Sequence, residues 1–235
     1  MTSSPTPPLL ELRQVCRWYG SGTARFDALT DVSLSVAHGE ALAVVGRSGS
    51  GKSTLMHVAA LLDRPDAGTL LVDGQDAARL TVRQVGALRN RRFGFVFQQF
   101  FLDPGASVLQ NVVLPLTIAG VRPAERRRRG MELLEQFDLA DKAGNRATAL
   151  SGGQKQRAVL CRALVGRPDV VFADEPTGNL DSATGAVVAD ELFALNAERG
   201  ITLVLVTHDI DLAGRCDRQV TVRDGRLEQH EAVAA

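Results

Sequence analysis

The chain has 235 residues, 45% of them hydrophobic, which is enough for an ordinary globular core in one large domain or two small ones. Its 27 Lys and Arg balance 27 Asp and Glu, so no whole-chain field draws it to nucleic acid or an anionic membrane, and any binding chemistry has to be local. Cys16, Cys161 and Cys216 are odd in number and widely spaced, without a C-x-x-C pair, a pattern that argues against zinc and redox motifs and for reduced cytosolic thiols.

No apolar run approaches the ~20 residues that cross a bilayer, and Thr2 to Pro8 is polar and proline-rich rather than a signal sequence. The expected location is the cytoplasm, unless something else holds the protein at a membrane. Leu10, Leu12 and Val15 predict a first strand running into Arg17-Trp18-Tyr19-Gly20, and Val32, Leu34 and Val36 alternate with Ser33 and Ser35 as in a half-buried second. Trp18 and Tyr19 are the only Trp and Tyr, and core filling is the plain reading of Trp18.

The apolar run Ala41 to Val45 predicts a third strand, and Gly46-Arg47-Ser48-Gly49-Ser50-Gly51-Lys52-Ser53-Thr54 follows it directly. Leu55 to Leu62 then has helical spacing. Glycines let such a turn wrap closely enough to aim several amide N–H groups at one anion, and the helix N-terminus adds positive dipole. Lys52 supplies a point charge for terminal phosphates, and Ser53 a hydroxyl for the magnesium of a nucleoside triphosphate. Gly46, Ser48, Gly49, Ser50, Gly51, Lys52, Ser53 and Thr54 are the candidate phosphate-binding residues. The full GxxxxGK[ST] pattern between strand and helix is far more specific than a lone glycine-rich turn.

Gly68 to Val72 predicts a strand closed by the turn dipeptide Asp73-Gly74, and Phe93 to Phe97 a buried strand ending on Gln98-Gln99. From Phe100 to about Arg167 the texture changes. Val108 to Leu116 and Met131 to Phe137 have helical spacing, punctuated by Pro104, Gly105, Pro115, Gly120 and Pro123, which predicts a helical insertion. The charge run Arg126 to Arg129 reads as a solvated helix face balanced by Glu125 and Glu132, with a headgroup or partner patch as the alternative.

Val170 to Ala173 is a short apolar strand ending in Asp174-Glu175. Ala183 to Leu195 has helical periodicity, and Ile201 to Val206 is a strand ending in Thr207-His208. This alternation predicts a largely parallel sheet covered on both faces. Ala232 to Ala235 is expected to fray.

Asp174 and Glu175 stand at the C-terminal end of a buried strand, where open α/β sheets place their ligands. A P-loop NTPase needs one carboxylate for magnesium and a separate group to orient the attacking water, tasks that suit Asp174 and Glu175 respectively. Leu150-Ser151-Gly152-Gly153-Gln154-Lys155-Gln156-Arg157 lies between the P-loop and Asp174. A serine and two glycines at the start of a helical run make a second anion site, which one nucleotide on one protomer has no ready use for.

At this point the sequence resembles the ATP-binding cassette (ABC) family, whose signature LSGGQ appears without a substitution. The resemblance covers nearly the whole chain. It implies an α/β P-loop NTPase with a RecA-like, mostly parallel sheet, an N-terminal antiparallel β subdomain and an inserted helical subdomain. Residues 1–235 would form one nucleotide-binding domain, with about 1–98 and 168–235 as α/β core and about 99–167 as the signature lobe. In this family the signature of one subunit caps ATP held by the P-loop of the other. The resemblance therefore places Ser151, Gly152, Gly153 and Gln154 on ATP and implies a head-to-tail dimer of two copies. It further implies adenine stacking for Tyr19, magnesium and water contact for Gln98, an interface crossing for Asp181 and a γ-phosphate contact for His208. Glu175, His208, Gln98 and Lys52 would serve catalysis, while Ser53, Gln98 and Asp174 would hold the metal. ATP and Mg2+ are the expected cofactors.

A finer match is to the branch holding the lipoprotein-releasing LolD, macrolide-exporting MacB and cell-division FtsE ATPases. It runs through Val45 to Ser53, Gly94 to Gln98, Asn111 to Leu116, Ala173 to Asp181 and Arg223 to Leu227. Gln110 and Ala147-Thr148-Ala149 depart from that branch, which usually has Glu and a Pro-x-Glu approach at these places. Both departures bear on partner and cargo rather than on ATP chemistry. The branch implies FtsX/MacB-like permease subunits in the membrane, export of a lipoprotein, peptide or drug, and a place on the inner face of the plasma membrane. A regulatory ATPase that controls cell-wall hydrolysis without transport is the alternative. A soluble ABC ATPase acting on nucleic acid or the ribosome would need a long coiled coil, zinc cysteines or a second cassette. The apolar triplet Phe100-Phe101-Leu102 is expected to help line a groove for a permease helix, with burial of all three as the alternative.

Overall fold

Residues 7–228 are described by a computed structural model, so the expected fray at Ala232 to Ala235 and most of the Thr2 to Pro8 stretch lie outside the described residues. In chain order the elements are β1 (Leu10–Tyr19), β2 (Phe26–Val36), β3 (Ala41–Val45), α1 (Lys52–Ala59), β4 (Ala67–Val72) and β5 (Gln75–Asp76). Then come α2 (Val82–Arg92), β6 (Phe93–Phe97), α3 (Val108–Val112), α4 (Leu114–Ile118), α5 (Pro123–Gln136) and α6 (Gly152–Leu164). The chain closes with β7 (Val170–Asp174), α7 (Ser182–Arg199), β8 (Thr202–Val206), α8 (Ile210–Gly214), β9 (Arg218–Arg223) and β10 (Arg226–Glu228). Contacts divide these elements into two units. One takes in the described residues up to Val85 and from Val204 onward, the other Gly86–Leu203.

The first unit holds an antiparallel sheet in the order β2-β1-β4-β5. Leu10 pairs with Val36 on one side and Val72 on the other, so the alternation read along β1 and β2 puts Leu10, Leu12, Val32, Leu34 and Val36 on one buried face. Asp73 and Gly74 take φ +48° and +74°, the left-handed pair that turns β4 tightly into β5. Beside this sheet β3 runs parallel to β9, from Leu42 opposite Arg218 to Val45 opposite Thr221, and β10 folds back on β9 through Asp224-Gly225. Ala41 to Val44 are at most 2% exposed, which explains why β3 is continuously apolar rather than alternating. Trp18 does not fill the core: it is half-buried, and the Arg25 guanidinium lies 4.1 Å from its ring centroid.

In the second unit β6 and β7 pair in parallel from Phe93 opposite Val170 to Phe97 opposite Asp174. Phe93 and Phe95 pack on Phe172 with centroids 5.3 and 5.8 Å apart, which accounts for the phenylalanine repeat of β6. Gly94 lets α6 lie close on the strand, since a Cβ there would stand 2.7 Å from the Ala163 carbonyl oxygen. Val108, Val112, Leu134 and Leu160 are buried at the centre of the helical part. The predicted helix over Val108 to Leu116 is broken at Val113, which ends α3 and caps α4, whose first turn accepts Pro115. The helix predicted over Met131 to Phe137 begins earlier, at Pro123, and so carries the charge run. Arg128 pairs with Glu125 and Glu132 on the solvated face expected, and Arg129 pairs with Glu125 where the face is half-buried. The Arg128 and Arg129 hydrogen bonds hold the Glu125 carboxyl below the usual range. Among the described residues no helix is long and apolar enough to cross a membrane.

Candidate nucleotide-binding and hydrolysis site

The P-loop, Gly46 to Thr54, leaves the end of β3 and enters α1, as its sequence predicts. Gly46, Gly49 and Gly51 take φ +149°, +77° and +108°, a region that L side chains rarely enter. Two of the three are also sterically closed. A Cβ on Gly46 would run into the Val222 carbonyl oxygen, and one on Gly51 would stand 2.5 Å from the Ala28 carbonyl oxygen. The loop is thus bedded on β2 and the β9–β10 hairpin, where Gly225 N–H donates to the Ser50 carbonyl oxygen at 2.9 Å and Thr30 N–H to that of Gly225 at 2.8 Å. Gly225 lies in the Arg223 to Leu227 stretch of the branch resemblance, but its support of the P-loop was not read there, although its Asp-Gly turn signal was present.

Lys52 is 9% exposed, and its Nζ donates to the Gly46 and Arg47 carbonyl oxygens at 2.9 Å each, so the ammonium is folded over the loop. The N-cap of α1 is Gly51, which offers no side-chain oxygen to the first-turn amides. Ser50 Oγ is buried without a hydrogen-bond partner, while Ser48, Gly49 and Ser53 are exposed. An uncapped helix start, a backbone cradle that excludes Cβ atoms and a lysine above it fit a triphosphate.

Two more expected residues belong to this unit. Tyr19 ends β1, 39% exposed as a residue, with its hydroxyl donating to Asp63 Oδ2 at 2.9 Å. His208 is exposed and follows Thr207, whose N–H donates to the Val44 carbonyl oxygen at 3.3 Å, two residues before the P-loop begins.

In the second unit the pairing of Phe97 with Asp174 brings Gln98 and Glu175 off the C-terminal ends of two adjacent parallel strands. Glu175 has φ +46°, strained for a side chain of its size, and its carbonyl oxygen accepts the Gly178 N–H at 3.1 Å. A Cβ on Gly178 would stand 3.2 Å from Gln98 Nε2, and Asn179 Nδ2 donates to the Gln98 carbonyl oxygen at 2.7 Å, so Gln98 and the loop after Glu175 form one cluster. Gln156, 1% exposed, donates from Nε2 to the Pro176 carbonyl oxygen at 2.6 Å and ties that loop to α6. Nothing in the spacing marked Gln156 as different from the other polar residues beside the signature. The hydroxyl of Ser53 in the first unit, and the amide of Gln98 and carboxylate of Asp174 in the second, are each oxygen donors of the hard kind that suits magnesium.

Ser151 is the N-cap of α6 in a capping box: its hydroxyl accepts the Gln154 N–H at 3.3 Å, and Gln154 Oε1 accepts the Ser151 N–H at 3.0 Å. The Gly152 and Gly153 amides, at N1 and N2, have no intrahelical acceptor. Gly153 also has a packing reason, because a Cβ there would stand 2.5 Å from Thr184 Cγ2. Asp181 caps α7, accepting the Thr184 N–H at 3.0 Å and its hydroxyl at 2.7 Å. Those backbone and side-chain bonds lower its carboxyl.

The cradle of one unit and the strand-end carboxylates of the other are the parts of a P-loop NTPase. Residues 29–178 match the family model described as ABC transporter. The chain is 48% identical over 223 residues to the lipoprotein-releasing system ATP-binding protein LolD of Bordetella pertussis, covering 95% of this chain and 96% of that one. It is 44% identical to the macrolide export ATP-binding/permease protein MacB of Nitrosomonas europaea over 97% of this chain and 34% of that one. It superposes with a TM-score of 0.88 at 37% identity on the ATP-binding cassette MJ0796, solved as a dimer in a post-hydrolysis state with ADP and Pi, covering 96% of this chain and 99% of that one. The chain belongs to the ABC transporter family, in its LolD/MacB-like branch, and is an ATP-binding ATPase.

Proposed function

We propose that the chain is the ATPase subunit of an exporter or mechanotransmitter, closing as a head-to-tail dimer on two ATP to drive separate FtsX/MacB-like permease subunits. The reading treats residues 1–235 as one nucleotide-binding domain working on the inner face of the membrane. The observation that carries it is the second helix start built for an anion, at Ser151, Gly152 and Gly153, in a chain that already has the P-loop. Each protomer then contributes its P-loop to one ATP and its signature and Asp181 to the other. Tyr19 takes the adenine, and Gly46 to Thr54 the phosphates. Ser53, Gln98 and Asp174 would hold magnesium, which would supply positive charge against the phosphates. Glu175 accepts the proton of the attacking water, while Lys52 and His208 face the γ-phosphate. The LolD and MacB likenesses favour a lipoprotein, peptide or drug as cargo. The test is purification of the tagged full chain from gently solubilised membranes: co-elution of a permease with a large extracytoplasmic domain is expected, and recovery without any membrane protein would count against the reading.

A further inference from the structure

Arg17 stands two residues before Tyr19 on β1, so both side chains project from the same face of the strand. The Arg17 guanidinium carbon lies 4.6 Å from the Tyr19 ring centroid, inside the range of a cation–π contact. One carboxylate oxygen locks the pair: Asp63 Oδ2 accepts from Arg17 Nε and from the Tyr19 hydroxyl, each at 2.9 Å. Asp66 Oδ2 braces the same strand end, accepting from Arg17 Nη1 at 2.9 Å and from the Trp18 N–H at 2.8 Å. The Arg17 side chain is 19% exposed and the two carboxylates 28% and 23%, so these are not ion pairs on long solvated arms.

We propose that Arg17 is the positioning residue of the adenine platform, covering one face of Tyr19 and fixing the ring so that ATP stacks on the other. This rests on the reading that Tyr19 carries the base. Asp63 follows the P-loop helix after the turn Ala60 to Leu62, and its N–H still donates to the His57 carbonyl oxygen of α1 at 3.1 Å. Through Asp63, which both Tyr19 and Arg17 hold, the group that meets the base is therefore tied to the far end of the helix whose start meets the phosphates. The span between base and triphosphate is set before ATP arrives, which removes an ordering cost from binding.

The full-length protein tests this with ATP and with inorganic tripolyphosphate, which has no base to stack. Arg17→Ala is expected to raise KM for ATP about three- to tenfold, in line with a cation–π contact and a weakened stack. In that variant kcat should stay within about twofold and tripolyphosphate inhibition should not change. Arg17→Gln, which keeps a donor for Asp63 without the cation, should behave like Arg17→Ala and serves if the alanine variant does not fold. Arg17→Lys should recover part of the affinity. In a Tyr19→Ala background Arg17→Ala should add nothing. Equal weakening of tripolyphosphate and ATP would make Arg17 a general brace and overturn the proposal. So would an unchanged KM in Arg17→Gln alongside a raised KM in Tyr19→Ala. If Tyr19→Ala itself leaves KM unchanged, the adenine reading falls, and the proposal with it.

Discussion

Glu191 on α7 is a carboxylate held in an unfavourable place: its Oε2 is buried without a hydrogen-bond partner. Burial pushes its carboxyl up to about 6, Arg157 pulls it down and Asp138 raises it again. A folded carboxyl above its unfolded value binds protons that the unfolded chain has released. Stability therefore falls as pH rises from the ordinary glutamate value of 4.5 through about 6. Glu191→Gln removes the charge and should raise the denaturant midpoint at pH 8, with little change at pH 4.5. An equal shift at both pH values would place its effect in packing instead.

At this same scale Lys52, Asp174 and Glu175 can be proposed from sequence because their chemistry is local to a strand end and a glycine turn. Tyr19, Gln98, Asp181 and His208 can be proposed only through the family, since an isolated aromatic or polar residue has no spacing to read. The structural roles of Gln156 and Gly225 were not read, although both lie in stretches that carry the family resemblance. Gln156 works through its side-chain bond to the Pro176 carbonyl oxygen, and Gly225 through backbone bonds to Ser50 and Thr30, relations that no short sequence window contains.

Among the elements, β3, β6, β7 and β8 were plain in the sequence as short apolar runs, and β2 as an alternation. The helix α2 was not read, because none of its residues is buried and it offers no apolar stripe. The split of Val108 to Leu116 into α3 and α4 was hidden because apolar spacing continues through Val113 while the backbone does not. The approach of α6 to α7 is a contact between elements that sequence leaves as two unrelated features, Gly153 and Thr184. Gly153→Ala should destabilise the protein by about 1–3 kcal/mol through overpacking. Thr184→Ser, which removes Cγ2 while keeping the hydroxyl that donates to Asp181, should restore most of it in the double variant. Equilibrium unfolding decides this, and no rescue by serine would mean that the glycine is needed for its backbone alone.

For the whole molecule, the question is how ATP turnover reaches a membrane partner. Phe101 is 64% exposed at φ +44°, and Arg162 fixes the backbone beneath it by donating to the Phe101 and Phe100 carbonyl oxygens at 2.6 and 2.9 Å. An apolar ring held outward in this way suits contact with a permease helix. Phe101→Asp should keep ATP-induced dimerisation in the isolated protein and lose co-fractionation with membranes. Loss of ATP binding or of the fold would instead assign Phe101 to packing on Phe97, whose ring centroid lies 5.7 Å from its own, and retained membrane association would put the contact elsewhere.

In the proposed cycle ATP closes two copies of this chain and Glu175 then opens the way to hydrolysis. Glu175→Gln keeps the size and hydrogen bonding of the side chain and removes the base, which typically costs about 10²- to 10⁴-fold in rate. The direct measurement is the solution mass of that variant by light scattering with and without magnesium-ATP, alongside its phosphate release. A dimer that forms only with ATP and does not turn over is the predicted result, and a monomer that hydrolyses ATP at the full rate would contradict the account.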